Sequence, residues 1–376
     1  MKRLLIVLIL LLMVPFNCSA AEDVNQDEYN EYLNSFDLSS FELLDDDTQD
    51  FLDSLGILDF DYENLTDISL ESVLEHIYSV ITNSADGPVK SGIIVIVFVL
   101  LSSFFRSFNT QINKSEISSV FSTLSTLIVS VFLVYSLTDC FALCCSTIEL
   151  CANFSFAFFP AFCIIVATSG SAMTSFSVNT TLLVLAQAMN YISELVFIPI
   201  TNCFLALGIC SGLRQELNLN STIRMLKRVI TTAISTLSAI FVSILSVKTA
   251  VASRADALGL RSVRFAINSV VPVIGSSISE GLLSIQSYSS LIKTSVGVVG
   301  IIAVVSVFLP ALIEVNLWRL VLSGASMCGD LFGDTGCVRA IETFRDALLI
   351  VDVLLILTMV TTIISIGILV AAKSGV

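Results

Sequence analysis

From Ser91 to Val370 the chain is built of apolar runs at or near the ~20-residue length that a bilayer's hydrocarbon core asks of a helix. With 55% of residues hydrophobic and 13% charged, an ordinary soluble domain is excluded. An all-α, polytopic helical membrane protein is expected. The runs fall at 91–108, 118–138, 153–169, 178–198, a short one at 199–213 that pairs with its predecessor as a hairpin, then 229–249, 295–317 and 346–372. That makes seven or eight membrane segments. Pro160 and Pro310 fall inside two of them and predict kinks or breaks.

The net charge of -14 is not spread over this apolar body. Nineteen of the 32 acidic residues lie between Ala21 and Lys90, where Lys90 is the single Lys or Arg. Three regions follow: a signal peptide at 1–20, an acidic extracytoplasmic region at 21–88 and a membrane domain at 89–376. The first has Lys2 and Arg3 ahead of an apolar run from Leu4 to Phe16, with cleavage expected after Ala20 or Ala21. In the second, Leu70, Val73, Leu74, Ile77 and Ile81 form a helical stripe, the Asp-rich stretch 43–58 is expected to fold only against a partner, and residues 22–85 as a whole are expected to be solvated and half-ordered. Gly87 and Pro88 mark its end.

Between Arg254 and Lys293 lie forty residues that are neither loop nor span. Leu260, Val263, Ile267, Val270, Val271 and Ile274 recur at helical spacing, with Arg254, Arg261, Arg264 and Asn268 on the other side. The stretch reads as an amphipathic or re-entrant segment. Positive charges bear on its sidedness. With the acidic region outside and every segment crossing, nine cations lie inside and seven outside; if 229–249 instead dips in and returns, the count is twelve to four.

Ionisable groups inside apolar runs are costly and mark function or a structural hydrogen bond. They are Glu194, Glu280, Glu314, Arg319 and Asp352, with Glu314, Trp318 and Arg319 reading as a span end that reaches the interface. Gly208 with Gly212, Ala157 with Ala161 and Gly329 with Gly333 are spaced for close helix approach and leave homo-oligomerisation open. Eight of the ten cysteines sit in or beside apolar runs as small core residues, and Cys328 with Cys337 would close a disulfide on an oxidising side. His76 reads as solvated. HExxH and GxxxxGK[ST] motifs are absent, so no catalysis, cofactor, metal or nucleic acid is expected.

The stretch LGLRSVRFAINSVVPVIGSSISEGL, the run KTSVGVVG from Lys293 to Gly300, and Leu309-Pro310 resemble the stage III sporulation protein AE family of endospore-forming bacteria. The resemblance implies a membrane subunit of a channel- or secretion-like complex linking mother cell and engulfed forespore. It would sit in the mother-cell membrane around the forespore and be needed for late forespore gene expression under sigma factor G. Implied partners are the other membrane subunits, a cytoplasmic secretion-type ATPase and ring-forming proteins, with membrane lipids around them. Candidate path-lining or assembly residues are Arg254, Asp256, Gly259, Arg261, Arg264 and Pro272. Gly275, Glu280, Lys293, Gly297 and Gly300 continue the same stretch, and Glu194, Glu314 and Asp352 add the intramembrane carboxylates. The alternatives are a secondary transporter binding ions at Glu194, Glu280 and Asp352, against which no repeated halves are found, and a non-conducting scaffold whose acidic arm recruits a partner.

Overall fold

A computed structural model of the chain describes residues 26–60, 70–111, 115–191, 199, 202–203, 206, 210, 219–270 and 275–372. Every regular element among them is helical. After α1 (Gln26–Leu33), a 3-10 turn (Ser39–Leu43) and α2 (Asp46–Ser54) come five long helices and one shorter one. These are α3 (Leu70–Gln111), α4 (Ser115–Val166), α5 (Ala172–Tyr191), α6 (Leu219–Val270), α7 (Gly275–Leu331) and α8 (Thr335–Val370). Among the described residues, five helical stretches are long and apolar enough to cross a membrane: 71–104, 123–188, 225–259, 285–331 and 335–370. The hairpin expected over 178–213 lies largely outside the described residues.

The helices run through several positions where the sequence predicts breaks. Gly87 and Pro88 lie inside α3, whose stripe from Leu70 to Ile81 continues into the first apolar run. One proline removes one N–H and crowds one carbonyl, and packing on both sides outweighs that. The runs expected at 118–138 and 153–169 are one 52-residue helix, because Cys140, Cys144, Ile148 and Cys151 carry the buried face across the stretch between them. A dip and return over 229–249 is ruled out, since a returning chain must break its helix and α6 is continuous from Leu219 to Val270. The forty-residue segment is therefore the end of α6 and the start of α7. At 1.5 Å per residue the 57 residues of α7 span about 85 Å, far beyond the ~30 Å hydrocarbon core of a bilayer.

Long α7 is the spine, and its neighbours are fixed in register by specific contacts. α8 returns antiparallel to it, with Lys293 meeting Ala372 at one end and Gly329 meeting Val338 at the other. The reversal is a Schellman cap: Asp334 N–H donates to Gly329 O at 3.0 Å and Gly333 N–H to Asp330 O at 3.1 Å. Gly333 takes φ +74 there, so it serves the turn and is not half of a helix-packing pair with Gly329. α3 runs parallel to α7, with Gly92 against Val321 and Ser102 against Asp334. α4 runs antiparallel, laying Phe158 over Gly300 and Phe162 over Gly297. A Cβ on Gly297 would come 2.2 Å from Val370, and one on Gly300 2.8 Å from Phe158, so the ring stack requires both glycines.

A second reversal lies at Ala167–Ser171, where Gly170 has φ +94. Ser175 Oγ donates to Cys163 O at 2.5 Å across it. Twelve residues of straight helix would hold these atoms about 18 Å apart, so α5 folds back on α4. α6 then runs along α5 and α8: Lys248 Nζ donates to Thr181 Oγ1 at 2.8 Å, and Lys227 pairs with Asp346 at 2.7 Å.

The acidic region is neither solvated nor half-ordered over residues 26–60. Tyr29, Leu52 and Ile57 are fully buried, and Tyr29 Oη donates to Phe60 O at 2.6 Å. Phe41 is set edge-on to Phe154 and Phe158 of α4, and Tyr32 stacks on Tyr288 of α7. His76 is half-buried rather than free on the surface, its ring stacked on Phe51 with centroids 3.8 Å apart. Glu28, Glu31, Asp37, Glu42, Asp46, Asp47, Asp50, Asp53 and Asp59 remain exposed, so the segment is a folded cap, apolar toward the bundle and anionic outward.

Candidate functional site

Midway along the α7–α8 hairpin, each helix contributes a charged side chain to one buried network. Arg319 Nη1 of α7 pairs with Asp352 Oδ2 of α8, and Asn316 Nδ2 donates to the other carboxylate oxygen at 3.0 Å. Arg319 also donates to Asn316 Oδ1 at 3.2 Å, and Asn316 Nδ2 anchors to Leu312 O at 2.8 Å. Asn316 and Arg319 share a face because they lie three residues apart on one helix. Removing such a pair from water is costly, and both carboxylate oxygens must be satisfied to offset it. The group Glu314, Trp318 and Arg319 falls within the continuous α7 helix. It lies in mid-helix with Trp318 buried and Glu314 beside Asp139 and Cys140 of α4.

Two other predicted residues act at helix ends. Asp256, 5% exposed, accepts from Met173 N–H at 2.6 Å, Thr174 N–H at 3.0 Å and Thr174 Oγ1 at 2.7 Å. It thereby caps the N-terminus of α5 from a different helix, where a carboxylate offsets the positive end of the helix dipole. Lys293, 3% exposed, donates from Nζ to Ala372 O at 2.8 Å, a cation at the carbonyl end of α8. Each is buried, Asp256 on the backbone and hydroxyl of the α5 start and Lys293 on the Ala372 carbonyl at the end of α8. Gly297 and Gly300 also face packed rings. Arg254, Gly259 and Arg261 are exposed on α6, and Gly275 opens α7. Glu194, Pro272 and the side chains of Arg264 and Glu280 lie outside the described residues.

Sequence reasoning missed Asn316, Asp334 and the Lys227–Asp346 pair. Asp334, 1% exposed, caps α8 by accepting from Cys337 N–H at 3.3 Å and takes the Ser102 hydroxyl of α3 at 2.5 Å. Asp-Thr after a glycine is a legible helix start. Its bond to Ser102 is not, since 232 residues separate the two. Cys328 and Cys337 are free thiols, and Cys337 is buried against Thr126. The described residues contain no group of three or more His, Cys, Asp or Glu able to hold a metal.

A family model described as stage III sporulation protein AE matches residues 57–373. The chain belongs to the stage III sporulation protein AE family. The match takes in all of α3 to α8 and so the whole buried network, while the acidic cap up to Gly56 precedes it. Stage III sporulation protein AE of Bacillus subtilis (strain 168) is 23% identical over 154 residues, covering 41% of this chain and 39% of that protein. The alignment thus spans well under half of that relative. No solved structure matches. For this member of the stage III sporulation protein AE family, a role in sporulation and a body of membrane-length helices follow from the family match and the fold together.

Proposed function

We propose that the chain is a membrane subunit of a channel- or secretion-like complex that links the mother cell to the engulfed forespore and is needed for late forespore gene expression. Its place would be the mother-cell membrane around the forespore. The observation that carries this reading is the family match over 57–373, which coincides with the helical bundle. A bundle about 85 Å long has room both to cross a bilayer and to project beyond it toward other subunits. The work of moving any cargo would come from a partner, a cytoplasmic secretion-type ATPase, with ring-forming membrane proteins completing the complex. In the transporter alternative an ion at Asp352 would have to share its carboxylate with Asn316 and Arg319, which bond one oxygen each.

The test is a deletion in the spore-forming host, complemented with this chain and with Arg319→Ala. Late forespore reporter expression should fall at least tenfold in the deletion, return with the native chain and stay low with the variant. Normal late expression and normal spores in the deletion strain would overturn the proposal.

A further inference from the structure

The seam between the acidic cap, α3 and α7 is not closed by packing. It holds a cavity of about 280 Å³, small against the ~300–1,000 Å³ of sites for drug-sized molecules. Three helices line it, each with one face: α2 gives Asp47, Asp50 and Phe51, α3 gives Val80 and Asn83, and α7 gives Ser306 and Pro310. No Lys or Arg lies among the lining residues to pair the aspartates.

An acidic rim alone would be a solvated surface, and the floor is what marks a site. Ser306 is 4% exposed, and its hydroxyl makes no hydrogen bond among the described residues. Buried hydroxyls are paired as a rule, commonly to the carbonyl one turn back, as those of Thr358 and Ser365 in α8 are. The carbonyl of Ser306 also lacks its usual helical donor, because the residue four places on is Pro310, which has no N–H. It points along the helix toward that proline, which itself lines the cavity. One buried residue thus brings two oxygens in need of partners to the floor beneath two carboxylates.

Oxygen acceptors, an uncompensated negative rim and apolar wall at Phe51, Val80 and Pro310 call for a cation that donates hydrogen bonds and carries hydrocarbon. A bare metal ion does not fit, since no three His, Cys, Asp or Glu among the described residues converge to ligate one. We propose that the cavity binds an alkylammonium group, its N–H bonds donated to Asp47, Asp50 and the oxygens of Ser306 and its methylenes laid against Val80 and Pro310. An ammonium has three donors and no acceptor, which matches that set. The group arrives on a free amine or on a lysine of another protein, and in either case it ties the cap to α7, because its partners lie on both.

The test titrates the full chain in nanodiscs with putrescine at constant ionic strength, by isothermal calorimetry with amide exchange in parallel. Saturable binding is expected, with slower exchange over residues 45–54. Asp47→Asn with Asp50→Asn should raise Kd about tenfold or more, and Ser306→Val about fivefold. Asn83→Leu, which narrows the cavity from the exposed face of α3, should weaken binding as well and serves if the Ser306 variant does not fold. Asp46→Asn with Asp53→Asn, on cap acids outside the cavity, should leave Kd unchanged. Tighter binding of Nα-acetyl-lysine amide than of putrescine assigns the group to a protein side chain, and the reverse to a free amine. The proposal is overturned if neither amine binds, if the outer acids matter as much as the lining pair, or if the folded Ser306 and Asn83 variants bind as the native chain does. Displacement of the amine by magnesium at equal ionic strength also overturns it, in favour of diffuse attraction or a hydrated metal.

Discussion

The acidic cap and the helical bundle treat charge in opposite ways. In the cap, apolar side chains turn inward and nine exposed carboxylates face out, none requiring a partner. In the bundle, Asp256, Asp334, Asp352 and Lys293 are buried, and every one of them is hydrogen-bonded. The contrast teaches which solvent each region is built for. A carboxylate in water needs no fixed partner, whereas one among apolar helices persists only where a helix end, an amide or a cation meets it.

That comparison can be broken by experiment, most sharply at the bundle. Arg319→Ala leaves Asp352 with an unpaired buried charge and should cost about 3–5 kcal/mol, while Arg319→Met with Asp352→Leu should recover most of the loss. Thermal unfolding in nanodiscs reads both, and equal losses in the single and double variants would show that the pair itself is the stabilising element. Phe41→Ala should remove about 3 kcal/mol from the docking of the cap. Faster hydrogen exchange confined to residues 26–60 is the expected readout, and exchange spreading to α7 would mean the cap also holds the bundle.

Asp256→Ala comes next, at about 1–2 kcal/mol, through loss of the cap on α5. Asp256→Asn should retain part of it, because an amide oxygen still accepts. The smallest effect belongs to the exposed Asp86–Lys90 pair, where Lys90→Ala should cost below about 0.5 kcal/mol. A loss as large as that of Arg319→Ala would erase the distinction between outward and inward charge.

Some of these features are readable before folding. The stripe from Leu70 to Ile81 is helical, as its spacing requires. Cys140, Cys144 and Cys151 are buried small residues, as their apolar surroundings imply. Asp334 before Thr335 marks the start of α8. The cap, by contrast, is hidden by composition: Phe41, Leu44, Phe51 and Leu52 stand among aspartates, and nothing local says that Phe41 has Phe154 and Phe158 to meet. Pro88 misleads for the opposite reason, since its local preference is real and is outweighed by the packing of α3 on α7 and α4.

Class, helicity, the placement of acidity and the family stretch belong to the sequence alone, because hydrophobic period and composition are properties of neighbouring residues. Register belongs to the tertiary structure. Arg319 meets Asp352 across 33 residues only because the turn at Gly333 sets two helices antiparallel at one offset. Lys293 reaches Ala372 by the same offset. A charge in an apolar run advertises its need for a partner, but the partner is chosen by which residues the folded hairpin brings to the same height, and no local pattern encodes that choice.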